Sequence, residues 1–208
     1  MNNTLLLAST SKSRQILLKE AGIPYKLVSQ SADESACDWG QNLQEAVESI
    51  AKHKMDHVIL HSGKEGEVCY VLTADTMGVN RKGEICGKPK DKNDAIRMIK
   101  SYRSGSQTYT AFCLDKKIFK NNSWLVEERI IEIVGAEYIF YIPDNWIERY
   151  FELVELEGLS FSQFSGAVAI EAFGAQFVKT INGSYTAVMG LPMFELREAL
   201  EEIGFFKN

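Results

Sequence analysis

Asp75 closes the apolar run VCYVLTAD, and Thr76 follows it. A carboxylate just past a buried strand stands where open α/β sheets meet their ligands. Lys88, in GKP after another short strand-like run, offers a cation, and Glu34, in the loop ADES, offers a second acid. Lys54 falls at i+7 from Val47 and i+4 from Ile50, inside an apolar helical stripe. A lysine placed there either snorkels to water or meets an anion. Arg14 follows the run LLLAST and lies in the first turn of a helix, with Ser9 and Ser11 just before it. A strand that empties into a helix N-terminus presents backbone N–H groups and a positive dipole end, which suit phosphate. Arginine adds a fork matched to phosphate oxygens. Acids hold a divalent cation or activate water, and cations hold a polyphosphate, so the set points to phosphoryl chemistry. Each residue alone also has a plain reading: Arg14 solvated beside a capped helix, Lys54 snorkelled, Asp75 in a turn.

The elements that must position these groups are legible in outline. TLLLA reads as a buried strand, and SKSRQILLKEAG as a helix with Ser11 as N-cap and Gly22 at its end. IPYKLVSQ reads as a short strand. Residues 42–60 carry the clearest helical period, through Leu43, Val47, Ile50, Ala51, Met55, Val58 and Ile59. MGVNRKGEICG reads as strand–turn–strand, and DKNDAIRMIKSY as a helix capped by Asp91. QTYTAFCLD and RIIEIVGAEYIFY read as strands with KNNS between them as a turn. PDNWIERYFELVEL reads as a helix, AVAIEAF and AQFVKTI as paired strands, and GLPMFELREALEEIGF as a final amphipathic helix. The order βαβα, then strands, then short helices, predicts an α/β fold with a mixed central sheet flanked by helices.

Composition excludes several classes. The chain has 208 residues, enough for one large domain or two lobes sharing a core. Its net charge of −5 argues against a general nucleic-acid surface. The apolar stretch Leu5–Ala8 is too short for a signal peptide or a membrane span, so the expected compartment is the cytoplasm. The cysteines Cys37, Cys69, Cys86 and Cys113 are scattered, without zinc spacing. His53, His57 and His61 fall at i, i+4 and i+8, but H-E-x-x-H is absent, and they read as a plain helix flank. There is no P-loop and no G-x-S-x-G elbow.

Taken in order, the motifs resemble the Maf (septum-formation) family of nucleoside triphosphate pyrophosphatases. That family opens with a strand and A-S-x-S-P-R-R; here the stretch is Ala8-Ser9-Thr10-Ser11-Lys12-Ser13-Arg14, followed by Leu17 and Leu18. Its D-E loop matches Asp33 and Glu34, its A-x-x-K matches Ala51 to Lys54, and its A-D-T matches Ala74, Asp75 and Thr76. Its G-K-P matches Gly87, Lys88 and Pro89, and its S-G matches Ser104 and Gly105. Its late motifs match Gly174 to Val178, Ile181, Gly183, Tyr185, Val188 and Gly190-Leu191-Pro192. The resemblance spans almost the whole chain.

The resemblance implies two lobes around a cleft, and hydrolysis of a nucleoside triphosphate to the monophosphate and pyrophosphate with a divalent metal, magnesium or manganese. Asp75 would accept the proton of the attacking water, and Glu34 and Asp75 would hold the metal. Ser9, Arg14, Lys54 and Lys88 would hold phosphates. Ser13, Thr76 and Glu171 fall at the positions tied to base choice in the pyrimidine branch. Only Thr76 is retained there: Ser13 replaces an arginine and Glu171 a glutamine. A glutamine donates and accepts, whereas an ionised glutamate only accepts. The base expected is therefore a pyrimidine or a modified one. House-cleaning of nucleotides, restraint of cell division and a homodimer follow from the family alone, with no membrane and no nucleic-acid polymer as partner. The rivals are a catalytically weakened nucleotide-binding regulator of cell division and a nucleotide monophosphatase on a similar scaffold.

Overall fold

The computed structural model describes residues 3–33, 37 and 42–207. Seven strands form one mixed sheet in the order β2-β1-β3-β5-β6-β7, with β4 pairing β3. The strands are β1 (Leu5–Leu7), β2 (Tyr25–Leu27), β3 (Val68–Asn80), β4 (Ile85–Cys86), β5 (Ser106–Lys120), β6 (Ser123–Phe140) and β7 (Val178–Gly183). The helices are α1 (Lys12–Glu20), α2 (Leu43–Asp56), α3 (Lys92–Tyr102), α4 (Ile147–Leu156), α5 (Tyr185–Met189) and α6 (Met193–Glu202). The chain divides into two compact units, and β3, β5 and β6 each pass from one into the other. No helix among the described residues is long and apolar enough to cross a membrane.

The first unit comprises residues up to Asp75, Thr110–Ile133 and the chain from Gly190 onward. β1 lies parallel to both β2 and β3, with Leu5 opposite Tyr25 on one side and Tyr70 on the other. A strand flanked on both sides in parallel is buried, and Leu5 and Leu7 are fully so. Ser11 caps α1 by accepting from the Arg14 N–H. Asn42 caps α2 in the same way through the Glu45 N–H, at 3.0 Å. α2 buries Ala46, Val47, Ile50, Ala51 and Met55 together with Lys54. It stops at Asp56, short of the expected residue 60, because the chain is drawn into pairing. His57 O accepts from Ser31 N, and Ile59 N donates to Ser29 O. His57 is thus the C-cap and His61 lies beyond the helix, so the three histidines do not share one helical face. Ile59 is exposed rather than part of the stripe.

The β5–β6 hairpin turns at Asn121 and Asn122, both with positive φ (52° and 62°). Two left-handed residues give the turn whose twist matches the strands, and asparagine tolerates it. Behind the hairpin, Asp115 is fully buried. It accepts from Arg129 Nε at 2.7 Å and Nη2 at 2.9 Å, and Lys117 Nζ stands 3.0 Å away.

The second unit comprises Thr76–Tyr109 and Val134–Met189. β4 pairs antiparallel with the end of β3, and β7 antiparallel with β6, with a bulge at Ile139/Phe140. Asp91 caps α3 by accepting from the Asp94 N–H at 2.8 Å. Its core is aromatic: Tyr150 of α4 packs against Phe140, Phe151, Phe173 and Phe177. One expectation fails here. AVAIEAF is not a strand paired with AQFVKTI; it is a run of 3-10 turns, Ser165–Ala167 and Ala172–Phe177 with an irregular stretch between. Gly166, Ala167 and Ala172 all adopt positive φ, away from the extended backbone of a regular strand. Only Val178–Gly183 is a strand, and it pairs with β6.

Candidate active site

Two clusters in the first unit gather the residues that the sequence singled out. The first is built on β3 and α2. Asp75 ends a run of six buried residues on β3, Tyr70 to Asp75, and is itself only 8% exposed. Lys54 Nζ donates to its Oδ1 at 2.7 Å, with both side chains about nine-tenths buried. Lys54 therefore does not snorkel: its place in the apolar stripe is explained by a buried anion. Thr73 fixes the approach. It points to the same face of β3 as Asp75, by the two-residue period, and its hydroxyl donates to Ala51 O at 2.7 Å, one turn before Lys54. Sequence reading passed over Thr73; a hydroxyl two residues before an acid, in an otherwise apolar strand, is the signal that would have found it.

The second cluster surrounds the N-terminus of α1. Arg14 is 8% exposed. Its Nη1 donates to Ser9 Oγ at 3.0 Å and its Nε to Gly190 O at 2.7 Å. The Ser9 hydroxyl also accepts from Ser11 N at 3.3 Å. Arg14 is thus held by protein on two sides, and the solvated reading is set aside. Ser13, beside it in the same turn, is buried. Gly190 contributes a carbonyl rather than a side chain, so its use was invisible although the G-L-P motif itself stood out.

The remaining residues sit elsewhere. Glu34 lies outside the described residues. Thr76, half-buried, follows Asp75 on β3 and opens the second unit. Lys88 is exposed in the turn between β4 and α3. Gly87, just before it, accepts from Gly166 N at 2.9 Å. Glu171, half-buried, directly precedes the turn Ala172–Phe177.

A divalent cation such as magnesium needs hard oxygen donors. Among the described residues no three of His, Cys, Asp and Glu converge. With Oδ1 of Asp75 taken by Lys54, Oδ2 is the hard oxygen left for a cation. Magnesium characteristically takes one or two carboxylates and completes its shell with water and substrate phosphates, so a sparse set of this kind fits it. The His53 and His57 rings lie 4.2 Å apart, but the His57 Nδ1 contacts the His53 carbonyl at 2.8 Å, a local helix-end contact rather than a metal site.

A mixed sheet flanked by helices, with a buried lysine–aspartate pair between α2 and β3 and a held arginine in the first turn of α1, defines an α/β protein. Comparison with known proteins agrees. The family described as Maf-like protein matches residues 4–203, and the chain belongs to that family. It is 33% identical to a dTTP/UTP pyrophosphatase of Fusobacterium nucleatum over 204 residues, covering 97% of this chain and 96% of that one. It is 33% identical to a dTTP/UTP pyrophosphatase of Geobacter sp. over 210 residues, covering 100% and 99%. A nucleoside triphosphate pyrophosphatase of Prochlorococcus marinus is 31% identical over 209 residues, covering 96% and 97%.

Proposed function

We propose that this chain hydrolyses a nucleoside triphosphate between the α- and β-phosphates, releasing the monophosphate and pyrophosphate. The observation that carries the reading is the Lys54–Asp75 pair between α2 and β3, in a chain matched over nearly its full length by relatives with pyrophosphatase names. In this reading Asp75 takes a proton from water as the water oxygen bonds to the α-phosphorus. The bond from that phosphorus to the bridging oxygen breaks, and pyrophosphate leaves with the electron pair. Lys54 orients the carboxylate, and Ser9, Arg14 and Lys88 hold phosphate oxygens. In phosphoryl transfer such positioning and charge neutralisation supply most of the catalysis. Asp75 and Glu34 would hold a divalent cation, magnesium or manganese, which neutralises phosphate charge when bound.

Ser13, Thr76 and Glu171 are the residues proposed to meet the nucleoside. The two relatives named for dTTP and UTP favour a pyrimidine. Glu171, where the family pattern has glutamine, favours a modified base with an added N–H donor, because a carboxylate only accepts. A panel of natural and modified triphosphates, with magnesium or manganese, tests the reading. Pyrophosphate and monophosphate as first products, lost on chelation, are expected. Orthophosphate as first product would identify a monophosphatase instead. Tight binding with no product would identify a nucleotide-binding regulator.

A further inference from the structure

Glu171 sits on a segment with almost no regular structure, yet that segment is closely fixed. Tyr150, fully buried on α4, reaches it with its hydroxyl. The hydroxyl donates to Ala167 O at 2.9 Å and accepts from Ala169 N at 2.8 Å, so both of its hydrogen-bonding functions are spent on one short stretch of backbone. Burial raises the Tyr150 phenol well above its ordinary range, so it stays neutral and keeps both functions. Tyr185, at the start of α5, donates its hydroxyl to Ile170 O at 3.0 Å, on the residue next to Glu171. The far side of the segment is closed as well. Gly174 N donates to Glu171 O at 2.8 Å, and a Cβ on Gly174 would run into the Ala169 carbonyl. At the near end Ser165 Oγ donates to Cys86 O and Gly166 N to Gly87 O, which joins the segment to the turn that carries Lys88.

The backbone within this frame is unfavourable on its own. Ala167 (φ 58°) and Ala172 (φ 47°) both lie in the left-handed region, where alanine is disfavoured. Strained residues persist only where their surroundings over-determine them, and such places cluster at ligand-contacting segments. Nothing in the aromatic core requires the two phenolic oxygens: a phenylalanine at 150 would pack against Phe140, Phe151, Phe173 and Phe177 equally well. What the oxygens add is the path of residues 167–170, and therefore where Glu171 stands.

We infer that Tyr150 and Tyr185 are positioning residues for nucleoside recognition, acting through Glu171 by clamping the backbone that precedes it. The inference rests on the proposed reading of Glu171 as a residue that meets the base. Neither tyrosine needs to touch the substrate. Their removal should weaken binding of the preferred nucleotide more than it slows the chemical step, because the groups assigned to the chemistry lie on other elements.

The test is a kinetic cycle on the full chain: Tyr150→Phe, Tyr185→Phe and Glu171→Ala, singly and with each tyrosine change combined with Glu171→Ala. KM and kcat are measured for the preferred triphosphate and for one bearing a different base. Tyr150→Phe is expected to raise KM for the preferred nucleotide about tenfold, with a much smaller fall in kcat, and to narrow the preference between the two bases. Tyr185→Phe, which releases one hydrogen bond, should act in the same direction by about threefold. In the Glu171→Ala background both changes should have almost no further effect on KM, which a merely structural role would not produce. A tyrosine effect of the same size with and without Glu171 overturns the inference. So does a Glu171→Ala variant of altered base preference beside silent tyrosine variants, which leaves the reading of Glu171 standing. A Glu171→Ala variant with unchanged base preference sinks that reading and the inference together. Tyr185 is 39% exposed, so its variant carries the test if Tyr150→Phe fails to fold.

Discussion

Lys54 Nζ stands 2.7 Å from Asp75 Oδ1, and the hydroxyl of Thr73, two residues upstream on β3, anchors the lysine's helix at Ala51 O. Strand and helix are thereby locked in the register that brings the pair together. Asn at position 75 keeps an oxygen that accepts from Lys54 but no longer takes up a proton. Asp75→Asn should therefore keep the fold, at some cost in stability from the Lys54 charge left without its anion, and lose about 10²- to 10⁴-fold in kcat. Circular dichroism and thermal melting check the fold, and pyrophosphate release checks turnover. A folded variant within a few-fold of the parent would remove Asp75 from its proposed role.

Arg14 uses two different nitrogens on two different partners, Nε on Gly190 O and Nη1 on Ser9 Oγ. A lysine keeps the charge but has a single nitrogen and no planar fork. Arg14→Lys should lower kcat/KM about tenfold or more, corresponding to about 1.4 kcal/mol. If charge alone mattered, the variant would match the parent in a steady-state assay at fixed salt.

Much of the fold was legible because local chemistry and global structure agree. Ser11, Asn42 and Asp91 sit where helices begin, and each accepts from a first-turn N–H. Lys54 inside an apolar stripe left two readings, snorkelling or an anion, and Asp75 at the end of a buried run supplies the anion. The misreadings have tertiary causes. The helical period of α2 continues past Asp56 in sequence, but backbone pairing of residues 57–59 with 29–31 overrides it. The alternation in AVAIEAF imitates a strand, yet its course is set by the Tyr150 hydroxyl and by left-handed alanines, neither of which leaves a periodic trace. Gly190 acts through its carbonyl, which any residue possesses.

Asp115 gives a stability prediction that involves none of the proposed site residues. Its carboxylate is fully buried, with both Arg129 and Lys117 on it. Arg129 also reaches Asp56 at 2.9 Å, but that carboxylate is 55% exposed. Removing a buried partner strands charges away from water, whereas removing an exposed one lets water take its place. Asp115→Ala should therefore cost about 3–5 kcal/mol. Asp56→Ala should cost under about 1 kcal/mol. Urea unfolding with unchanged m-values separates the two. Equal, small losses would mean that the buried carboxylate is not what organises this cluster.

Burial also sets the reactivity of two thiols. The Cys69 thiol is pushed up to about 11, first by loss of solvation and then by Glu67 and Asp115, against the opposing pull of Lys117. Burial likewise pushes Cys113 up to about 12, with Asp115 adding to it. An acid whose charged form is disfavoured holds its proton to higher pH, so the reactive thiolate is scarcer at any given pH below that value. At pH 8 the thiolate of Cys69 should be roughly a hundredfold scarcer than that of an unperturbed thiol, two pKa units lower. Alkylation at Cys69, followed by peptide mass spectrometry on the native protein, should be correspondingly slow. Its rate should climb about tenfold per pH unit between pH 8 and 10, without levelling. A rate that levels off near pH 9 in the folded protein would show that the thiol meets water more freely than the packing around β3 and β5 allows.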